Sequence, residues 1–76
     1  MQVKFSKQAL KFLNKQDAPT RKRLITAINV LPAGDVKKLQ GIDAFRLRVG
    51  DYRIIFTKDG EIIFIEKIDN RGQVYR

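Results

Sequence analysis

The chain contains no cysteine and no histidine. Without cysteine there is neither a disulfide framework nor a thiolate metal site. Without histidine the usual metal ligand and the usual general base near neutral pH are both missing. Acidic residues are scarce, eight Asp and Glu against sixteen Lys and Arg, for a formal net charge of +8. No apolar run approaches the roughly 20 residues needed to span a bilayer. The first residues, Met1-Gln2-Val3-Lys4-Phe5, lack the apolar core of a secretion signal and read as a strand, so the expected location is the cytoplasm, with no membrane partner. There is also no HExxH, no phosphate-binding glycine loop, no GxGxxG and no Ser–His pair. Most conventional active sites are thereby excluded.

What is present is an ordinary globular composition. The 76 residues are 43% hydrophobic, enough for one modest core and a single domain over residues 1–76. The charge is uneven: residues 1–42 hold nine Lys or Arg and two Asp, whereas residues 43–76 hold seven Lys or Arg and six acidic residues. A basic balance on this scale favours polyanionic partners, either nucleic acid or acidic protein.

The most informative stretch is Ala44–Phe56. Apolar and polar residues alternate before Gly50-Asp51, a two-residue hairpin signal in which Gly supplies the positive φ of a primed turn. That turn pairs Val49 with Tyr52, Arg48 with Arg53, Leu47 with Ile54 and Arg46 with Ile55. Side chains alternate across a strand. Phe45, Leu47, Val49, Tyr52, Ile54 and Phe56 therefore share one face, and Arg46, Arg48 and Arg53 the other. Like charges directly opposite on paired strands destabilise, so the second face suits a polyanion. Otherwise it is a solvated surface of arginine stems.

Around the hairpin, Val3 and Phe5 form the inner side of an edge strand. Ser6 is placed to cap a helix over about Lys7–Gln16, with Ala9, Phe12 and Leu13 inward and Leu10 at the edge of that stripe. Lys7, Lys11 and Lys15 form an outer row. A second helix follows from Asp17, a possible cap, to about Leu31, with Leu24, Ala27, Ile28 and Leu31 inward. It carries Arg21, Lys22 and Arg23 near its start. Residues 36–43 read as a connection in which Leu39 touches the core and Lys37 and Lys38 are exposed. Ile62–Ile68 is apolar on both sides in its first half, as a central strand is. The expected fold is α+β: strand, helical hairpin, then a three-stranded antiparallel meander (β-α-α-β-β-β), with the helices on one sheet face.

The second turn, at Asp59-Gly60, admits two registers. A two-residue turn pairs Lys58 with Glu61 and sets Glu66 opposite Arg53. A three-residue turn with a bulge at Gly60 pairs Thr57 with Glu61 and puts Ile63, Ile65, Lys67 and Arg71 on the arginine face. The tail, Asn70-Arg71-Gly72-Gln73-Val74-Tyr75-Arg76, adds a basic, aromatic end.

An arginine is a poor base, because it stays protonated. A cluster of them grips phosphates in bidentate fashion and stabilises charge developing on a phosphoryl group. With Tyr75 to stack on a base or handle a proton, the set suits RNA cleavage without a metal or cofactor.

Three runs carry a resemblance: Lys38-Leu39-Gln40-Gly41, Phe45 through Phe56, and Asn70 through Arg76. Together they resemble the RelE/ParE toxin superfamily, and the helical hairpin before them matches in order and length. The resemblance implies a toxin of a type II toxin–antitoxin pair that cuts mRNA in the ribosomal A site. By position, Arg53 matches an arginine on the scissile phosphate, Arg71 a second catalytic arginine and Tyr75 the C-terminal tyrosine that orients the nucleotide. Arg46 and Arg48 stand where RelE proper has two lysines, and Asn70 where many relatives have His. The proton acceptor is thus open among Tyr75, Glu66 and a held water. The implied partners are an acidic antitoxin wrapped over the sheet or the helical hairpin, the ribosome (30S, rRNA) and mRNA. Operator DNA is bound only through the antitoxin complex. Lys7, Lys11, Lys15, Arg21, Lys22, Arg23, Lys37 and Lys38 are the candidate RNA contacts. A ParE-like gyrase inhibitor is the alternative, against which the terminal Arg71/Tyr75 pair argues, and an inactive homologue that only binds antitoxin is another.

Overall fold

The computed structural model describes residues 1–70. Strand β1 (Gln2–Phe5) leads into helix α1 (Lys7–Asn14) and helix α2 (Ala18–Asn29). Strands β2 (Asp35–Lys38), β3 (Phe45–Val49), β4 (Tyr52–Asp59) and β5 (Ile62–Asn70) follow. They form one sheet in the order β1-β5-β4-β3-β2, with β1 parallel to β5 and the other pairs antiparallel. Both helices pack on one face. The α+β class, the leading strand, the helical hairpin and the packing of the helices on one sheet face are as expected, and no helix among the described residues is long and apolar enough to cross a membrane.

Local sequence explains the first turn of α1. Ser6 Oγ accepts from the Ala9 amide at 3.0 Å, satisfying one of the amides left over at a helix start, and donates to the Glu66 carbonyl at 2.8 Å. One hydroxyl thus caps α1 and ties it to β5. Ser6→Ala is expected to cost about 1 kcal/mol, read as a lower urea midpoint at unchanged slope. Asp17 occupies the cap position of α2 but makes no side-chain cap bond. The end of α1 is closed from the next helix: Arg21 Nε donates to the Leu13 carbonyl at 3.0 Å and Nη2 to the Gln16 carbonyl at 2.7 Å. A cation at the carbonyl end of a helix is favourable.

The core follows the apolar spacing. Ala9, Leu13, Leu24, Ile28 and Leu31 from the helical layer meet Leu47, Ile54, Phe56, Ile63, Ile65 and Ile68 from the sheet, all of them buried. Phe12 adds an edge-on contact to Tyr52 with ring centres 6.0 Å apart.

Two expectations are corrected. Residues 35–38 are not part of a connection; they form the edge strand β2, and the meander has four strands. Val36 alone turns inward there, so the short edge strand shows none of the alternation by which the longer strands are read. The second hairpin takes neither proposed register. Its loop is Gly60-Glu61, and Asp59 pairs with Ile62. The reason is the position of glycine: Gly60 at φ +60° opens this loop as Gly50 at φ +58° opens the first. Gly50 is further constrained, since a Cβ there would come within 2.5 Å of Arg23 Nη2, which lies against the turn.

Candidate active site

The first hairpin has the register its sequence implies. Val49 pairs with Tyr52, Arg48 with Arg53, Leu47 with Ile54 and Arg46 with Ile55. Arg46, Arg48 and Arg53 therefore share the sheet face that the helices leave uncovered. Lys37 joins them, paired with Arg46, and Asp35 pairs with Arg48. Lys38 pairs with Phe45, so it belongs to the opposite side of the edge strand. Arg48 is exposed, Arg46 is half-buried and its Nε has no hydrogen-bond partner among the described residues.

The far side of this face is set by a bulge. From Asp59/Ile62 back to Phe56/Ile65 the β4–β5 pairing is regular; then Ile55 pairs with Lys67, so Glu66 is an extra residue. A bulge of this kind shifts the register by one and re-aims the side chains beyond it. Without it Ile68 would stand opposite Arg53. With it, Asp69 stands there and Ile68 turns into the core, 0% exposed. Ile63 and Ile65 are also on the core side, contrary to the three-residue register, whereas Lys67 is on the arginine face as that register had it. Glu66 is not opposite Arg53. Its Oε2 accepts from Thr57 Oγ1 at 2.9 Å.

Asp69 is the residue the sequence reading missed. Its Oδ2 lies 3.2 Å from Arg53 Nη2 and 3.8 Å from Lys67 Nζ. The three-residue register that puts Lys67 and Arg71 on the arginine face puts Asp69 there as well, but not opposite Arg53; the bulge is what pairs the two. Gln8 was missed as well. Its side-chain amide donates to the Ile68 carbonyl and accepts from the Ile68 amide, both at 2.9 Å. It stands in for a neighbouring strand where β1 has ended, and so fixes the backbone next to Asp69. Gln8→Leu leaves both Ile68 groups without partners; the expected cost is about 2 kcal/mol, with faster hydrogen exchange at the Ile68 amide. Beside these residues lies a cleft of about 400 Å³ lined by Gln8, Phe12, Arg53, Lys67, Ile68, Asp69 and Asn70.

The remaining candidates are dispersed. Lys7 and Lys11 on α1 and Lys15 at its C-terminal cap are exposed, in the layer on the other side of the sheet. Arg21 is engaged with the α1 carbonyls and Arg23 with the Gly50 turn, which leaves Lys22 the most freely projecting of that trio. Arg71 and Tyr75 lie outside the described residues.

Residues 3–75 match the family described as ParE toxin of type II toxin-antitoxin system, parDE. The chain belongs to the RelE/ParE toxin superfamily. This toxin is similar in structure to the archaeal RelE in the RelE–RelB complex from Pyrococcus horikoshii OT3, with 31% identity over 95% of this chain and 96% of that one and a TM-score of 0.79. A chain of the RelB–RelE antitoxin–toxin complex from Methanococcus jannaschii is 28% identical over 96% and 95%, with a TM-score of 0.78. The RelBE2 complex from Mycobacterium tuberculosis shares the fold at 22% identity, covering 92% and 90%, with a TM-score of 0.73. No individually curated protein matches.

Proposed function

We propose that this toxin is a RelE-type, ribosome-dependent endoribonuclease that cleaves mRNA in the A site. The observation that carries the proposal is the pairing of Arg48 with Arg53 on the open face of the sheet. Two guanidiniums held opposite one another repel, and a phosphate between them turns the repulsion into a bidentate grip. Arg46 and Lys37 extend the same positive surface.

In the proposed reaction the 2′-OH gives up its proton and its oxygen bonds to the adjacent phosphorus. The bond from phosphorus to the 5′ oxygen breaks, and that oxygen takes up a proton. The products are a 2′,3′-cyclic phosphate and a 5′-OH end. Arg53 and Arg71 stabilise the charge that builds on the phosphoryl oxygens, and Arg46 and Arg48 hold the flanking backbone. Tyr75 stacks on the base or accepts the proton. The arginine face thus supplies binding and charge stabilisation, and the tail completes it.

A +8 chain with an open basic face suits an acidic antitoxin, in line with the RelB partners of the RelE chains above. The lysine row of α1 supports contact with rRNA. Replacing Lys7, Lys11 and Lys15 by Gln is expected to weaken ribosome binding and to make its salt dependence shallower. The log–log slope should fall by about 0.7–0.9 for each phosphate that is no longer neutralised, measured by titration at several salt concentrations. The functional reading is tested by adding the purified toxin to a translating extract and, separately, to gyrase. Translation should stop with the mRNA cut, and supercoiling should continue. Inhibited supercoiling with intact mRNA supports the ParE-like alternative.

A further inference from the structure

Asp69 is the one buried charged residue among those described, 9% exposed as a whole. A buried carboxylate is costly unless paired and fully hydrogen-bonded. Asp69 meets only half of that condition. Its Oδ2 faces Arg53 Nη2 and Lys67 Nζ, while Oδ1 is buried with no hydrogen-bond partner among the described residues. Stability alone does not account for such a group. An apolar residue opposite Arg53, which an unbulged strand would provide as Ile68, avoids the cost. The chain instead carries a bulge at Glu66 that delivers Asp69 to this place, and Gln8 clamps the adjoining Ile68 backbone at both its amide and its carbonyl. Two separate features therefore converge on one contact, the Arg53–Asp69 pair.

We propose that Asp69 is a positioning residue for Arg53. The inference rests on the functional reading above and deepens it. Arg53 stands between two unlike neighbours: Arg48 across β3 pushes its guanidinium away, and Asp69 across β5 draws it back. The Arg53 side chain keeps 30% of its surface exposed, and its Nε is buried and has no partner among the described residues. Asp69 therefore fixes the plane of the guanidinium from the Nη2 end without sealing it from a phosphate. With Oδ2 turned to Arg53 and Lys67 and Oδ1 buried, the role proposed for Asp69 is exercised through Arg53.

Asp69→Asn keeps the size of the side chain and removes its charge. In single-turnover cleavage of ribosome-bound mRNA it is expected to lower the maximal rate by about 10–100-fold, the scale of a misplaced catalytic group. The ribosome concentration for half-saturation should stay within about threefold, because the phosphate grip of Arg46 and Arg48 is untouched. In an Arg53→Ala background the same substitution is expected to change the rate by less than about twofold, since coupled residues do not act additively. Effects that multiply in the double variant overturn the proposal. An independent readout is the Arg53 Nε–Hε signal in NMR, which is expected to be sharp and slow to exchange in the wild type and broadened in Asp69→Asn. An unchanged signal also overturns it. A wild-type toxin that leaves mRNA intact defeats the functional reading instead, and the Nε–Hε signal then decides on the positioning role by itself.

Discussion

Replacing Arg53 by alanine is expected to slow mRNA cleavage about 10²–10³-fold, the usual loss when one preorganised donor to a developing oxyanion is removed. Single-turnover cleavage of ribosome-bound mRNA measures it. Lysine is not expected to restore the rate, because a point charge on a flexible stem cannot reproduce a planar two-donor fork. The variant also strands the buried Asp69 carboxylate, whose remaining cation, Lys67, is 3.8 Å away on a side chain 60% exposed. Removing one partner of a buried pair usually destabilises strongly. Here the loss is smaller, because Arg53 is itself 30% exposed and partly screened. Arg53→Ala combined with Asp69→Asn removes the stranded charge. It is expected to be more stable than Arg53→Ala alone, yet no more active. That contrast separates the chemical role of Arg53 from its part in the fold.

The largest expected effect on stability is that of Phe56→Ala. Phe56 is 2% exposed, pairs with Phe45 across β3 and Ile65 across β5, and stacks on the Phe45 ring at 5.4 Å between centres. It also borders the bulge that sets the register of the arginine face. Removing its ring is expected to cost about 3–5 kcal/mol. A domain of 76 residues sits toward the low end of the usual stability of about 5–15 kcal/mol. The variant should therefore be substantially unfolded at 37 °C, seen as loss of the cooperative thermal transition in circular dichroism. Ile42, 57% exposed in the β2–β3 loop, is the control. Ile42→Ser is expected to change stability by less than about 0.5 kcal/mol.

The arginine face was legible in the sequence to the extent that its geometry is local. Gly50-Asp51 sets the first hairpin, strand alternation then fixes which residues share a side, and Arg48 falls opposite Arg53 without further information. The Ser6 cap and the inward stripes of both helices are local in the same sense. What the sequence did not disclose depends on contacts distant in the chain. Strand β2 exists because β3 offers it an edge; Asp35-Val36-Lys37-Lys38 has one inward apolar residue and no pattern of its own. At the second turn, Asp59-Gly60 and Gly60-Glu61 are both plausible loops, and the choice between them moves the whole of β5. The bulge at Glu66 then shifts the register again, and it has no residue signature. The pairing of Asp69 with Arg53 was invisible for that reason: alternation from the Asp59/Ile62 pair turns Asp69 toward the helices, and the three-residue register puts it on the arginine face but not opposite Arg53. Arg21 reads as one of three surface cations, and only the packing of α2 against α1 turns it into a cap.

These non-local features converge on the open side of the sheet. The bulge, the Gln8 clamp and the Asp69 carboxylate all act on the strand next to Arg53. The hairpin register supplies the arginines, and the long-range contacts set one of them in place. If that surface is a phosphate-gripping catalytic face, the most direct measurement is the mapping of mRNA 5′ ends after purified toxin is added to translating ribosomes. The account predicts cuts within the A-site codon that carry 5′-OH ends, absent without ribosomes and strongly reduced with Arg53→Ala. Intact mRNA, or cuts that Arg53→Ala leaves unchanged, would contradict it.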